Sequence, residues 1–308
     1  MSFSIIIVHH KSPELLKLCL DSVKKHLLGQ ISELETIVVD SEAQTETEEI
    51  LREKFPWVNY LPLIKNVGYA AGVNHGLKNS KGKHILILNP DIIVTSDSVK
   101  KMSDHLDKNP DIGLLGPKLL NFNGQIQNSK FKFYRPMTIV YRRTFLGKMP
   151  FAKKRLADFN IQESELESMS SGHQTAPVKI TSVCNVGKKE TAELPKITFP
   201  DWVMGSALMT TRNALEKVGM MDERFKLYFE DVDWAKRFWE NGYKVAYLPE
   251  AVMLHYHIRQ SRAGFDFLDV FIRRETRWHI ESAVKYFLKH GLKYRSGQTL
   301  LSHASENK

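Results

Sequence analysis

Along the first 120 residues, short wholly apolar runs alternate with stretches of helical period. Ser4 to Val8 is a run of branched side chains too short for a typical helix, so it reads as a strand buried on both faces. Ser12 and Pro13 then supply the cap and first position of a helix to about Leu28. The same reading predicts strands over Glu35 to Asp40, Val58 to Leu63, His84 to Leu88 and Gly113 to Leu120. Helices are expected over Thr45 to Lys54, from just after Gly68, and over Ser96 to Lys108. Strict strand–helix alternation predicts an α/β fold with a mostly parallel central sheet flanked by helices. Pro90 cannot donate to a ladder and should end its strand, which leaves Asp91 at the carboxyl edge of the sheet, where open α/β sheets bind ligands. Asp40 ends an earlier strand on that same edge.

From about 135 to 198 the pattern decays. Arg142, Arg143, Lys148, Lys153, Lys154 and Arg155 are interleaved there with Tyr141, Phe145, Leu146, Met149, Phe151 and Leu156. Such a mixture suits either an anionic membrane surface or a solvated insertion whose apolar residues pack down. Ser168 to Glu193 is polar without a period and reads as a loop. Order returns at Phe199, with an apolar stretch from Trp202 to Met209 that contains Gly205 and Ser206, and a short helix over Arg212 to Val218. Tyr228 to Gly242 has helical period, with Glu230, Asp231 and Asp233 crowding its first turn. The helix dipole favours acids there but does not require three within four residues. Strands are expected over Lys244 to Leu248 and over Val252 to His257, the second ending in His255 and His257 on one face. A long amphipathic helix over Asp266 to His290 and a disordered tail from Ser302 complete the chain. The organisation is one domain over 1–262, with halves 1–120 and 199–262 around the insertion, followed by a helix and tail over 263–308.

Composition narrows the picture only a little. The 308 residues carry a net charge of +9, which favours polyanionic partners without choosing among nucleotides, nucleic acid or membrane. No nucleic-acid motif accompanies the charge. Two cysteines, Cys19 and Cys184, make neither a metal site nor a disulfide framework, as in a reducing compartment. No apolar run reaches the ~18 residues of a spanning helix, and Met1 to Val8 lacks the pattern of a secretion signal. A cytoplasmic location is expected, with the inner face of the cell membrane as the place of any peripheral contact. Neither G-x-G-x-x-G nor a Walker loop follows the first strand, which counts against a dinucleotide enzyme and a P-loop NTPase.

Taken in order, Ile37-Val38-Val39-Asp40-Ser41, the run Asn66 to Gly76, Leu88-Asn89-Pro90-Asp91, Trp202-Val203-Met204-Gly205-Ser206, Met221 to Phe225, Tyr228 to Asp233 and Pro249-Glu250-Ala251 leading to His255 resemble glycosyltransferase family 2, in its bacterial rhamnosyltransferase-like branch. That resemblance implies a GT-A, Rossmann-like fold with a C-terminal helical extension. It implies an inverting transfer of a sugar from a nucleotide-diphosphate donor, dTDP- or UDP-linked, to a glycan or lipid-linked acceptor in bacterial surface polysaccharide synthesis. Asp40 would bond the base or ribose, and the backbone near Val8 and His9 would line the base pocket. Asn66, Gly68 and Asn89 would lie near the donor. Asp91 and His255 would hold a divalent cation, Mg²⁺ or Mn²⁺. Asp231 would be the general base, with Glu230, Trp202, Gly205 and Ser206 on the acceptor side. Arg259 and Arg262 would close over the diphosphate.

The sequence departs from the family where the base pocket is built. His9-His10-Lys11 stands where Thr-Tyr-Asn is usual, and Ser41-Glu42-Ala43-Gln44 replaces a more Asn- and Asp-rich stretch. Asn89 stands in place of an acid. Two other classes remain for test: a catalytically inactive GT-A domain acting as a scaffold, and a nucleotidyltransferase. The second would want a Gly- and Lys-rich loop after the first strand, which is absent.

Overall fold

The computed structural model describes residues 2–161, 196–256 and 274–306. Its strands are β1 (Ser2–His9), β2 (Glu33–Ser41), β3 (Val58–Leu63), β4 (His84–Leu88), β5 (Ile92–Ile93), β6 (Ile112–Leu120), β7 (Ile126–Gln127), β8 (Lys130–Phe131), β9 (Trp202–Val203), β10 (Ala207–Thr211) and β11 (Lys244–His255). The helices are α1 (Pro13–His26), α2 (Thr45–Lys54), α3 (Tyr69–Asn79), α4 (Ser98–Lys108), α5 (Pro136–Arg143), α6 (Pro150–Phe159), α7 (Arg212–Val218), α8 (Glu230–Glu240), α9 (Arg274–His290) and α10 (Gly297–Glu306), with a 3₁₀ turn over Phe145–Lys148.

The main sheet runs β3-β2-β1-β4-β10-β6-β11-β5, with β7 on the far end of β6. The first four strands are mutually parallel, as the alternating pattern predicts. Beyond them the sheet is mixed, because β10 is inserted antiparallel between β4 and β6. Both faces are covered, which is why β1 and β4 are apolar without alternation. Ile6, Val8, Ile85 and Ile87 face one core cluster; Ile5, Ile7, Leu86 and Leu88 face the other.

Four expectations need correction. Lys244–His255 is one strand rather than two, since β6 offers a continuous partner; the register shift between Leu248 and Val252 marks where Pro249, Glu250 and Ala251 bulge out. The start of the basic insertion is helical, with Pro136 and Pro150 at the first positions of α5 and α6. The tail expected to be disordered from Ser302 forms the end of α10, anchored through Leu300, which is buried in the core. The predicted helix from Asp266 is described only from Arg274, and the polar stretch 168–193 lies outside the described residues.

The C-terminal helices are an integral wall of the domain. Asp201, just before β9, accepts hydrogen bonds from the backbone of Phe133 at 2.8 Å, the backbone of Gly297 at 2.7 Å and the Tyr294 hydroxyl at 2.9 Å. Asp233 on α8 pairs with Arg237 at 2.9 Å, His290 at 2.7 Å and Lys289 at 2.5 Å, which ties the end of α9 to α8.

Candidate active site

Beyond Pro90 the chain turns, and β5 pairs antiparallel with the end of β11, setting Ile92 opposite His255. That pairing carries Asp91 to His255 across 164 positions of sequence: Asp91 Oδ2 lies 3.2 Å from His255 Nε2. The Tyr256 backbone N–H donates to the Asp91 carbonyl at 2.8 Å and fixes the approach. Gln127, on β7, accepts from His255 Nδ1 at 2.6 Å through Oε1. A histidine whose Nδ1–H is held by a carbonyl oxygen presents Nε2 as a ligand atom. Asp91 Oδ1 and Asn89 Oδ1 are both buried without a hydrogen-bond partner. Orphaned oxygens beside an imidazole nitrogen fit a divalent cation of the Mg²⁺ or Mn²⁺ kind. Among the described residues no three His, Cys, Asp or Glu side chains converge as a metal-binding group, so the protein would supply only part of a coordination shell.

On the opposite wall, Tyr228 and Phe229 both adopt left-handed backbone conformations, φ 67° and 68°. Two consecutive aromatic residues there store strain, which the packing of Phe229 against Tyr134, His279 and Tyr286 sustains. This turn delivers Glu230 and Asp231 at the first positions of α8. Asp231 Oδ2 accepts from the Gly205 N–H at 3.0 Å and Oδ1 from the Val232 N–H at 2.9 Å. Burial pushes the Asp231 carboxyl up to about 6, against the pull of those backbone donors. Burial, together with the charge of Asp231, holds Glu230 well above the usual carboxylate range. One acid of the pair is therefore neutral while its neighbour ionises. Tyr69 donates to the Gly205 carbonyl at 2.9 Å, and burial with the nearby charges of Glu230, Asp231 and Asp91 keeps its hydroxyl protonated.

Asn89, Asp91, Trp202, Gly205, Ser206, Glu230, Asp231 and His255 all line one cleft of about 1320 Å³. Trp202 donates to the Lys132 carbonyl at 2.9 Å and stacks on Phe131 with centroids 4.5 Å apart. The Asn89 N–H donates to the Ser206 carbonyl at 2.9 Å, locking the two walls together at the end of β4. The residues expected around a base lie elsewhere on the same sheet edge. His9 Nε2 accepts from the Ser12 N–H at 2.9 Å, so Nδ1 carries the proton and donates to Asp40 Oδ1 at 2.8 Å. Tyr60 donates to Asp40 Oδ2 at 2.9 Å. Asp40 is fully buried, each oxygen already holding a partner, and Val8 lies buried beneath α3 against Gly72. Asn66 Oδ1 accepts from the Gly68 N–H at 2.9 Å. Gly68 has φ 85°, and a Cβ there would stand 2.7 Å from the Lys226 carbonyl, so this turn into α3 requires glycine. Arg259, Arg262 and His257 lie outside the described residues.

The model of glycosyl transferase family 2 matches residues 4–161, just over half of the chain. This chain belongs to that family. The family 2 domain is 24% identical over 234 residues to an N-acetylglucosaminyl-diphospho-decaprenol L-rhamnosyltransferase of Mycobacterium tuberculosis, a match covering 71% of this chain and 66% of that protein. It is 22% identical over 239 residues to the low-salt glycan biosynthesis hexosyltransferase Agl10 of Haloferax volcanii, covering 76% of this chain and 60% of the relative. The chain thus spans a little under two thirds of the length of these relatives. Among solved structures, the mannosyltransferase PcManGT from Pyrobaculum calidifontis, in complex with GDP-Man and Mn²⁺, superposes with a TM-score of 0.55 at 16% identity, over 99% of this chain and 68% of that one. GalNAc-T7 with UDP, GalNAc and Mn²⁺ gives 0.58 at 14% identity, over 99% and 54%. The fold is GT-A, a mixed central sheet flanked by helices.

Sequence reasoning did not single out Gln127, Tyr69, Phe229 or His279 for the site. Gln127 and His279 line the cleft only because a hairpin and a helix distant in sequence fold against it. No local signal marks them.

Proposed function

We propose that this family 2 domain is an inverting glycosyltransferase that moves a sugar from a nucleotide-diphosphate donor to the hydroxyl of a glycan or lipid-linked acceptor. One observation carries the reading: a cation-ready pair, Asp91 and His255, and a proton-accepting pair, Glu230 and Asp231, line the same cleft. Asp91 and His255 would hold a divalent cation together with oxygens of the donor diphosphate. Bound there, the cation would act as a Lewis acid on the charge that grows on the departing diphosphate. Asp231 accepts the acceptor hydroxyl's proton as the acceptor oxygen bonds to the anomeric carbon and the bond to the diphosphate breaks. Such a positioned base contributes roughly 10²–10⁴-fold. Glu230, neutral beside it, avoids a second negative charge next to the base.

The name of the mycobacterial relative supports a rhamnose-like sugar and a lipid-diphosphate acceptor in polysaccharide synthesis. An acceptor of that kind lies at a membrane, and the lobe formed by α5, the 3₁₀ turn and α6 has the surface for it. Phe145 is 73% exposed and Phe151 53%, among exposed Lys148, Lys153, Lys154 and Arg155. We assign this lobe as the peripheral contact with the anionic inner face of the cell membrane. No helix among the described residues is long and apolar enough to cross a membrane.

Calorimetric titration with dTDP, UDP and GDP, each with and without Mn²⁺, tests the reading. Metal-dependent binding of one nucleotide is expected. Absence of binding to all three by folded protein would leave the inactive scaffold as the better description.

A further inference from the structure

Between β6 and β7 the chain reads Asn121-Phe122-Asn123-Gly124-Gln125-Ile126-Gln127-Asn128-Ser129, without one charged residue in a sequence that is 26% charged. The hairpin is a rigid turn. The Asn121 N–H donates to the Gln125 carbonyl and the Gly124 N–H to the Asn121 carbonyl, both at 2.8 Å, and Asn123 Oδ1 accepts from the Gln125 N–H at 3.1 Å. Its amides do not simply face bulk solvent: Asn121, Asn123, Gln125 and Asn128 line the catalytic cleft. Phe122 stands in that lining beside Tyr256, edge to face with centroids 5.1 Å apart. The rings are 38% and 39% exposed. Tyr256 is the residue whose N–H holds the Asp91 carbonyl, and Gln127 holds His255, so the hairpin is fastened to the cation-ready pair at both ends.

A neutral, amide-rich wall beside a strongly charged centre selects for a ligand that is neutral and both donates and accepts hydrogen bonds. Carboxamides do both, as do hydroxyls. Exposed aromatic faces add an apolar contact for the C–H face of a ring. A phosphate would want cations, and this stretch has none. We infer that the β6–β7 hairpin is a pyranose-binding wall, gripping a sugar ring through Asn121, Asn123, Gln125 and Asn128 with Phe122 and Tyr256 as its apolar rim. The inference rests on the transferase reading for its place in a reaction, but it concerns a different ligand group from the nucleotide. The ring can belong to the donor or to the acceptor.

The test uses the full chain and two variants at the exposed tip, Phe122→Ala and the double variant Asn123→Ala/Gln125→Ala, with thermal melts to verify folding. The probes are the methyl glycosides of rhamnose, glucose, mannose and N-acetylglucosamine, followed by saturation-transfer NMR. Calorimetry with Mn²⁺ covers UDP, dTDP, UDP-glucose, UDP-N-acetylglucosamine and dTDP-rhamnose. Each variant should weaken a saccharide interaction by about tenfold, the scale of one or two lost hydrogen bonds, while free nucleotide affinity stays unchanged. Loss confined to a methyl glycoside assigns the wall to the acceptor ring; loss confined to a sugar nucleotide assigns it to the donor ring. Variants that bind every glycoside and sugar nucleotide as the native chain does overturn the inference, as does a native chain that gains nothing from the sugar in either form. If nucleotides still bind in those cases, the transferase reading survives. Glycoside binding that the variants weaken, without any nucleotide binding, keeps the wall and removes the transferase.

Discussion

Gly205 donates its backbone N–H to Asp231 Oδ2 at 3.0 Å, so the proposed base is aimed by the turn between β9 and β10 on the facing wall as well as by its own helix. A Cβ on residue 205 would stand 3.1 Å from both Asp231 Cβ and Oδ2. The carboxylate would have to turn away. Gly205→Ala should therefore slow sugar transfer by roughly 10–100-fold, the scale expected for an ångström of misplacement, while Kd for the nucleotide stays close to native. Steady-state kinetics with a parallel nucleotide titration checks this, and an unimpaired kcat would remove Asp231 from the chemistry.

The two buried acids predict a pH profile. A base must be ionised to accept a proton, and burial raises the Asp231 carboxyl to about 6. Activity should be full above that value and fall tenfold per pH unit below it, rather than persisting to the pH near 4 of an ordinary aspartate. Glu230 is held protonated well past its usual range, so Glu230→Gln mimics its resting form and should leave the acid limb near the same pH. Asp231→Asn should cost at least ~10²-fold at every pH. A limb that moves to lower pH in Glu230→Gln would show that the two acids share the titration differently.

His255 is oriented by Gln127 at 2.6 Å, not by a neighbour in sequence. Groups that hold a ligating imidazole typically change metal affinity 10–100-fold when removed. Gln127→Leu should weaken Mn²⁺ binding, measured in the presence of saturating UDP or dTDP, by that factor. Binding of metal-free nucleotide should stay within about twofold. Equal Mn²⁺ affinity in the variant would place the cation away from His255.

The ease of reading the first half and the difficulty of the second have a common physical origin. β1, β2 and β4 are buried on both faces, so their apolar runs are unbroken and visible, and Pro90 marks the strand end that exposes Asp91. The α5–α6 lobe buries Tyr141 and Ala152 but leaves Phe145, Met149 and Phe151 outside, so its apolar positions follow no single period. Asp40 was legible as an acid at a strand end. Its engagement by His9 and Tyr60 depends on the register of β2 with β1 and β3, which no local pattern reveals. The left-handed pair Tyr228–Phe229 is likewise invisible, since neither residue type favours that conformation.

Gly297 opens α10 against the indole of Trp239 on α8. A Cβ there would lie 2.2 Å from Trp239 Cε2, and the Gly297 N–H also holds Asp201. Gly297→Ala should destabilise the domain by about 1–3 kcal/mol, the usual range for overpacking a core, and lower Tm accordingly. Because Asp201 directly precedes Trp202, the cleft should loosen before the domain unfolds. Limited proteolysis should then cut the C-terminal helices first, at a temperature where nucleotide binding persists. A variant that melts as the native chain does would mean that α10 packs on the domain without stabilising it.

The lobe outside the cleft supplies the last prediction. Phe145 and Phe151 project among Lys148, Lys153, Lys154 and Arg155, while the only acid between 136 and 159, Asp158, is paired with Lys132. Its positive charge is therefore available to anionic lipid, at about 1 kcal/mol for each basic side chain near the surface. Insertion of the two rings adds an apolar contribution that salt does not screen. Phe145→Ser/Phe151→Ser should keep weak, salt-sensitive binding to phosphatidylglycerol-rich vesicles, whereas Lys148→Gln/Lys153→Gln/Lys154→Gln should lose nearly all of it. Both should turn over a water-soluble acceptor at the native rate, because none of these side chains lines the cleft. Native vesicle affinity in both variants would move the membrane contact to another face, the first alternative being the exposed Val284 and Leu288 of α9.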